Sequence, residues 1–228
     1  MPARTEGIDL IAMILAAGRG ERLRPLTDEI PKALVEINGE SLLERHLASM
    51  SDAGVTTVVI NLGWLGEQIV ECVGSGSRFG LQVIYSPEYD NVLDTGGGIH
   101  RALPLLGKDP FWVVNADTYT DFRLRELKLK DDLLGHLILV PTPDHRDAGD
   151  FDLVNGLVVN NGDRPMTYSG IALYRPELFA AQEAGRFSLV PLMRDAADAE
   201  RLSGSIFEGL WEDVGTEDRL AKLNVTRT

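Results

Sequence analysis

The chain has 228 residues, 44% of them hydrophobic and 25% charged, with a formal net charge of −13 and a single cysteine, Cys72. That length and balance suit one α/β domain with a sizeable buried core and exclude a largely disordered chain. The acidic surplus opposes nonspecific attachment to nucleic acid or to an anionic membrane, and one cysteine excludes an internal disulfide framework and a Cys-rich zinc site, which fits a reducing cytoplasm.

Residues 1–9 read as an N-terminal extension before a single domain over 10–228. The apolar run 10–17 is too short to span a bilayer and lacks the basic flank of a signal segment, so it predicts a buried strand over 11–15. The stretch 16–31, rich in Gly, Arg and Pro, cannot continue that strand and is expected to be a long loop. Ser41 and Glu44 have capping-box spacing, and Leu42, Leu43, His46, Leu47 and Met50 then recur at helical intervals up to Gly54.

A β-branched run predicts a strand over 55–61, followed by a helix over 64–73 and a short strand over 81–85. A Gly-rich turn at 96–98 opens a helix to about residue 106, and an apolar strand follows over 111–115. Strands alternating with helices call for a mainly parallel sheet covered on both faces, with ligands held at the carboxyl ends of the strands. Beyond Asp121 the expected strands 137–140, 153–159 and 171–174 are short and separated by Pro and Gly, which predicts a mixed sheet with antiparallel additions. Helices over 190–199 and 216–224 flank a strand near 205–209.

The loop after the first strand carries the first chemistry: Ala17, Gly18, Arg19, Gly20, Glu21, Arg22, Leu23, Arg24, Pro25, Leu26 and Thr27, with Pro31 and Lys32 behind them. Small residues let backbone N–H groups approach a polyphosphate, and Arg22 and Lys32 can offset its charge. Neither standard phosphate motif fits. Gly20 is followed by Glu21 and Arg22 where a P-loop needs Gly-Lys-Ser/Thr, and Leu23 stands where a dinucleotide fingerprint needs its third glycine.

Residues 18–27 with Pro31 and Lys32 resemble the signature of the sugar nucleotidyltransferase superfamily, and the similarity, nearest to the bacterial N-acetylmuramate-1-phosphate uridylyltransferases, runs from about residue 11 to 223. The resemblance implies a Rossmann-like three-layer α/β/α fold. It implies Gly20, Glu21, Arg22 and Lys32 at the nucleotide phosphates, within a binding set that also takes in Ala17 and Gly18. The implied reaction joins a nucleoside triphosphate, UTP, to a sugar 1-phosphate and releases pyrophosphate, in the synthesis or recycling of cell-wall precursors.

Three further segments fit that resemblance. The apolar strand ending in Asn115, Ala116 and Asp117 delivers a carboxylate to the sheet edge, where a hard cation such as Mg²⁺ takes one or two carboxylates and fills its shell with water and phosphate oxygen. Trp211, Glu212, Asp213, Val214, Gly215 and Thr216 resemble the family's W-x-D-V-G-T segment, which implies Asp213 as the second magnesium ligand. Glu212, one position away in an extended segment, is expected to face the other way. Thr95, Gly96 and Gly97 are similar to the segment near the nucleobase, where bare backbone lets a flat base lie close; Tyr89 stands near the place where several relatives carry a pyrimidine-reading glutamine.

For the sugar phosphate, the segment at Tyr168, Ser169 and Gly170, the strand entry at Asp150, and Asn115 are the candidates. The Glu-Lys-Pro segment of the hexose-1-phosphate thymidylyltransferases is absent between 159 and 167, which predicts a different grip on the sugar phosphate. Four scattered histidines show no ligand spacing and are expected to be structural. Heptose- or mannose-1-phosphate guanylyltransferases, glucose-1-phosphate thymidylyltransferases and phosphocholine cytidylyltransferases stay open, as does a non-catalytic nucleotide-sugar-binding subunit. A monomer or small homo-oligomer is expected.

Overall fold

The computed structural model describes residues 10–89 and 92–225. The extension expected over 1–9 lies outside the described residues. β1 (Leu10–Leu15) leads through the short helix α1 (Leu26–Glu29) and a hairpin of β2 (Glu36–Ile37) and β3 (Glu40–Ser41) into α2 (Leu42–Asp52). β4 (Val55–Leu62), α3 (Gly66–Val73), β5 (Gln82–Pro87), α4 (Asp94–Leu106) and β6 (Phe111–Asn115) complete the regular half. The second half holds β7 (Thr118–Thr120), β8 (Gly135–Val140), β9 (Asp152–Val154), β10 (Leu157–Val159) and β11 (Thr167–Tyr174). It closes with α5 (Leu189–Asp198), β12 (Leu202–Ile206), β13 (Trp211–Asp213) and α6 (Glu217–Val225).

Nine strands form one sheet in the order β5-β4-β1-β6-β11-β8-β12-β10-β9. β1 runs parallel to β4 and β6, β4 to β5, and β8 to β12, while β11 is antiparallel to both its neighbours and β10 to both of its own. The sheet is therefore mixed and mainly parallel. Side chains alternate between two cores: Ala12 and Ile14 face Leu43, Leu47 and Met50 of α2 and Ile69 of α3 on one side. Met13 faces Ile99 and Ala102 of α4 on the other, where Leu192 and Met193 of α5 also pack. Helices on both faces explain why the central strands are continuously apolar.

From β1 the chain first builds outward through β4 and β5, then returns to add β6 on the opposite side of β1. Such a reversal opens a crevice at the carboxyl ends of the central strands, because the loops there diverge. Both the loop after Leu15 and the Asn115–Asp117 turn leave from those ends.

The structure departs from the sequence expectations in four places. The long loop 16–31 contains a 3₁₀ turn at Glu21–Leu23 and the helix α1. The strand expected over 153–159 is two strands, because Asn155 and Gly156 at φ 52° and 82° reverse the chain as a tight hairpin turn. The strand near 205–209 lies earlier, as β12, where Leu202 to Ile206 pair in register with Gly135 to Leu139. Two short ladders were also not foreseen, β2 with β3 and β7 with β13. The capping box is present: Ser41 Oγ accepts from Glu44 N at 3.2 Å and donates to Glu44 Oε2 at 2.7 Å, which holds the Glu44 carboxyl below its ordinary range.

Candidate active site

The loop after β1 is shaped by one left-handed glycine. Gly20 sits at φ 69°, and a Cβ there would lie 3.0 Å from Thr27 Cγ2 and 3.1 Å from Lys32 Cβ. Its carbonyl accepts from Leu23 N and from Thr27 Oγ1, both at 2.9 Å. Leu23 is then fully buried with Val35, Leu42, Tyr119 and Val214. This anchor turns the neighbouring Arg22 toward the crevice. Gly18 has no heavy atom within 4 Å of where its Cβ would be, so open space lies above its backbone.

A cavity of ≈ 530 Å³ fills the crevice. Ala17, Gly18, Gly20, Glu21, Arg22 and Lys32 line one wall, and Thr95, Asn115, Asp117 and Arg186 line the other. Asn61 and Glu88, both 3% exposed, form its floor. Asn61 Oδ1 accepts from Ala16 N at 2.7 Å, Asn61 Nδ2 donates to Glu88 Oε1 at 2.8 Å, and Glu88 Oε2 accepts from Leu93 N at 2.9 Å. These bonds tie the ends of β1, β4 and β5 together beneath the cavity. Sequence inspection missed both residues, since nothing in a lone Asn or Glu at a strand end announces a buried network.

Gly96 and Gly97 do not line the cavity; only Asp94 and Thr95 of that helix start do. A Cβ at Gly96 would lie 2.5 Å from the Phe187 ring, and one at Gly97 would lie 2.2 Å from Gly185 O. The glycines thus admit the segment 185–187, whose Phe187 carbonyl accepts from Gly97 N at 3.0 Å. Gly96 and Gly97, expected beside a nucleobase, pack against this segment, while Thr95 at the same helix start lines the cavity. Tyr89 is 59% exposed.

A second cavity of ≈ 440 Å³ adjoins the first and shares Arg22, Asn115 and Asp117 with it. Asp150, Tyr168, Ser169, Gly170, Asp213 and Arg219 also line it. Gly170, at φ 79°, lets β11 cross close to Asn115, whose Nδ2 would stand 2.7 Å from a Cβ there. Ser169 O accepts from Trp211 Nε1 at 2.9 Å, but the residue is 1% exposed and its hydroxyl accepts from Ile171 N at 3.2 Å. Asp150 accepts from Tyr168 N at 2.9 Å and from Arg146 at 3.0 Å. Burial pushes the Tyr168 hydroxyl well above its ordinary range, so it stays protonated near neutral pH.

The two carboxylates are brought together by the β7–β13 ladder. Asp213 pairs with Thr118, and Val214 N donates to Asp117 O at 2.8 Å. Glu212 pairs with Tyr119 one step along and lines a different cavity, with Arg45 and Lys222. Asp117 is ion-paired with Lys32 and Asp213 with Arg219, and His145 Nε2 lies 3.4 Å from the Asp213 carboxylate. Hard oxygen donors on adjacent segments, each paired with a cationic side chain, fit a divalent ion that keeps water and phosphate oxygens in its shell. Among the described residues no cluster of three His, Cys, Asp or Glu side chains forms a preformed metal cage. Arg219 and His145 were not foreseen as neighbours of this site.

The nucleotidyl transferase family model matches residues 11–151. The chain belongs to that family. It is 46% identical over 218 residues to an N-acetylmuramate alpha-1-phosphate uridylyltransferase of Neisseria meningitidis serogroup B, covering 92% of this chain and 94% of that one. It is 36% identical over 232 residues to the protein of the same description from Caulobacter vibrioides, covering 93% and 94%. Among solved structures, the inositol-1-phosphate CTP transferase from T. maritima superposes with a TM-score of 0.73 at 17% identity over 96% of this chain and 98% of that one, a likeness of fold. This nucleotidyltransferase is an enzyme, with the α/β fold that its sequence pattern predicted.

Proposed function

We propose that the chain joins UTP to N-acetylmuramate α-1-phosphate, with Mg²⁺, to give UDP-N-acetylmuramate and pyrophosphate, in the cytoplasm, as a step in cell-wall precursor supply or recycling. The observation that carries this reading is the pair of cavities meeting at Arg22, Asn115 and Asp117. One accommodates a triphosphate along a glycine-rich loop, and the other a sugar phosphate, so that the two anions face each other across Asp117. The names of the Neisseria and Caulobacter relatives supply the substrates.

An oxygen of the sugar phosphate attacks the α-phosphorus of UTP, the bond from that phosphorus to the bridging oxygen breaks, and pyrophosphate leaves from the opposite side. A phosphate monoester is largely dianionic at neutral pH, its second pKa being about 6, so the nucleophile needs no general base. The protein holds two anions in line and offsets the charge that builds on the α-phosphoryl group. Arg22 and Lys32 supply cationic contacts, and the open backbone at Gly18 supplies N–H donors. Mg²⁺ held by Asp117 and Asp213 would add charge neutralisation at the same place.

The test is a matrix of UTP, CTP, GTP, ATP and dTTP against N-acetylmuramate, N-acetylglucosamine, glucose and mannose 1-phosphates, scored by pyrophosphate release. The expected maximum is UTP with N-acetylmuramate 1-phosphate. A maximum with any other pair refutes the substrate assignment.

A further inference from the structure

The absence of a Glu-Lys-Pro segment leaves the acceptor phosphate without a basic ligand of its own, and the geometry points to Arg219 of α6 as that ligand, acting with Arg22 across Gly215. A Cβ on Gly215 would lie 3.2 Å from Arg22 Nη2 and 3.2 Å from Arg219 Nη2. The bare backbone of Gly215 leaves room for the ends of both guanidinium groups, and an added Cβ would make each give by a few tenths of an ångström. The rest of Arg219 is fixed by the protein: Nε donates to Thr216 Oγ1 at 3.3 Å, and Nη1 to the Asp213 carbonyl at 3.1 Å and to its carboxylate. Nη2 makes no hydrogen bond among the described residues, and neither does Nη2 of Arg22.

Two like charges aimed at one spot repel unless an anion lies between them. Arg22 makes no ion pair among the described residues, and the single carboxylate of Asp213 offsets only one of the two charges. Planar guanidinium forks match phosphate oxygens, which makes a phosphate the fitting occupant. Its side of the crevice follows from the walls: Arg219 lines the second cavity and the neighbouring one that holds Glu212, but not the first, whereas Arg22 lines the first and the second, so the two guanidiniums share the second cavity alone. Arg219 therefore grips the sugar phosphate, and Arg22 spans the two substrates. This inference rests on the reading of the second cavity as the acceptor site.

Arg219→Gln, Arg219→Lys and Gly215→Ala, each checked for an unchanged thermal midpoint, are compared with the wild type by steady-state kinetics in both substrates and by calorimetric titration of N-acetylmuramate 1-phosphate into enzyme saturated with a non-hydrolysable UTP analogue. Loss of a charge-assisted fork is expected to raise KM and Kd for the sugar phosphate on the order of 10- to 100-fold in Arg219→Gln, with KM for UTP within about twofold. Arg219→Lys recovers part of the loss, since it keeps the charge without the fork. Gly215→Ala, which displaces both guanidiniums without removing either, shifts sugar-phosphate affinity in the same direction and carries the test should Arg219→Gln not fold. Unchanged sugar-phosphate affinity in these variants, or an equal loss for UTP in Arg219→Gln, overturns the inference. A wild type that turns over no sugar 1-phosphate overturns instead the reading beneath it.

Discussion

Four basic residues lie between positions 19 and 32, and their partners separate Arg22 and Lys32, which the family resemblance implies at the phosphates, from Arg19 and Arg24. Arg19 stacks 4.3 Å over the Trp64 ring and lies 3.7 Å from Asp28, and Arg24 pairs with the same Asp28 at 2.9 Å. Both are turned outward, while Arg22 and Lys32 line the crevice. Arg24→Ala is accordingly expected to leave kcat/KM within about twofold, whereas Arg22→Ala lowers it by about 10²-fold or more, the usual cost of removing a group that stabilises transition-state charge. Asp117→Asn is expected to lower kcat by about 10³-fold with an unchanged circular dichroism spectrum; near-normal Mg²⁺-dependent turnover would remove Asp117 from the site. Asn61, Glu88, His145 and Arg219 were not legible in the sequence, because each acquires its role from a neighbour at least 27 positions away or, for Arg219, from a turn whose path is set by β13.

At the scale of elements, long apolar runs were legible and short ladders were not. β6 was predicted to the residue, since a five-residue run buried on both faces leaves little freedom in its bounds. β7 and β13 have three residues each and no apolar alternation, yet their pairing is what carries Asp213 to Asp117. Two helix contacts give predictions. Gly97→Ala would press a methyl group to within 2.2 Å of Gly185 O, and is expected to destabilise the fold by about 1–3 kcal/mol, seen as a lower denaturant midpoint. His46 of α2 is buried beneath the Asp117–Thr118 turn with its Nε2 unpartnered, and burial lowers its pKa from 6.5 to about 4. Its contribution to stability is therefore complete above pH 6.5 and is lost as pH falls toward 4, by about 3 kcal/mol in all. Unfolding free energies measured across that window should fall with acidity in the wild type, and less steeply in His46→Leu.

For the whole molecule, the order of strands explains where the chemistry sits. The chain builds away from β1 on one side and returns on the other, so the crevice opens where the glycine loop and the Asn115–Asp117 turn diverge. Alternating strands and helices made that architecture legible in the sequence. The division of the crevice into two cavities was not, because it depends on β11 passing close to Asn115 at Gly170 and on the final helix returning with Arg219. With a net charge of −13, the molecule repels polyanions in general, while Arg22 and Arg186, which make no ion pair among the described residues, line the crevice. Anion binding is thus a property of the site rather than of the surface.

Joint occupation of Asp117 and Asp213 by one divalent ion is the claim on which the catalytic proposal turns. Anomalous diffraction from crystals grown with Mn²⁺ and a non-hydrolysable UTP analogue measures it directly. The account predicts one strong peak within about 2.0–2.3 Å of a carboxylate oxygen from each residue and of an α-phosphate oxygen. A peak bound by neither aspartate, or by one with the other still paired to its arginine, would contradict it.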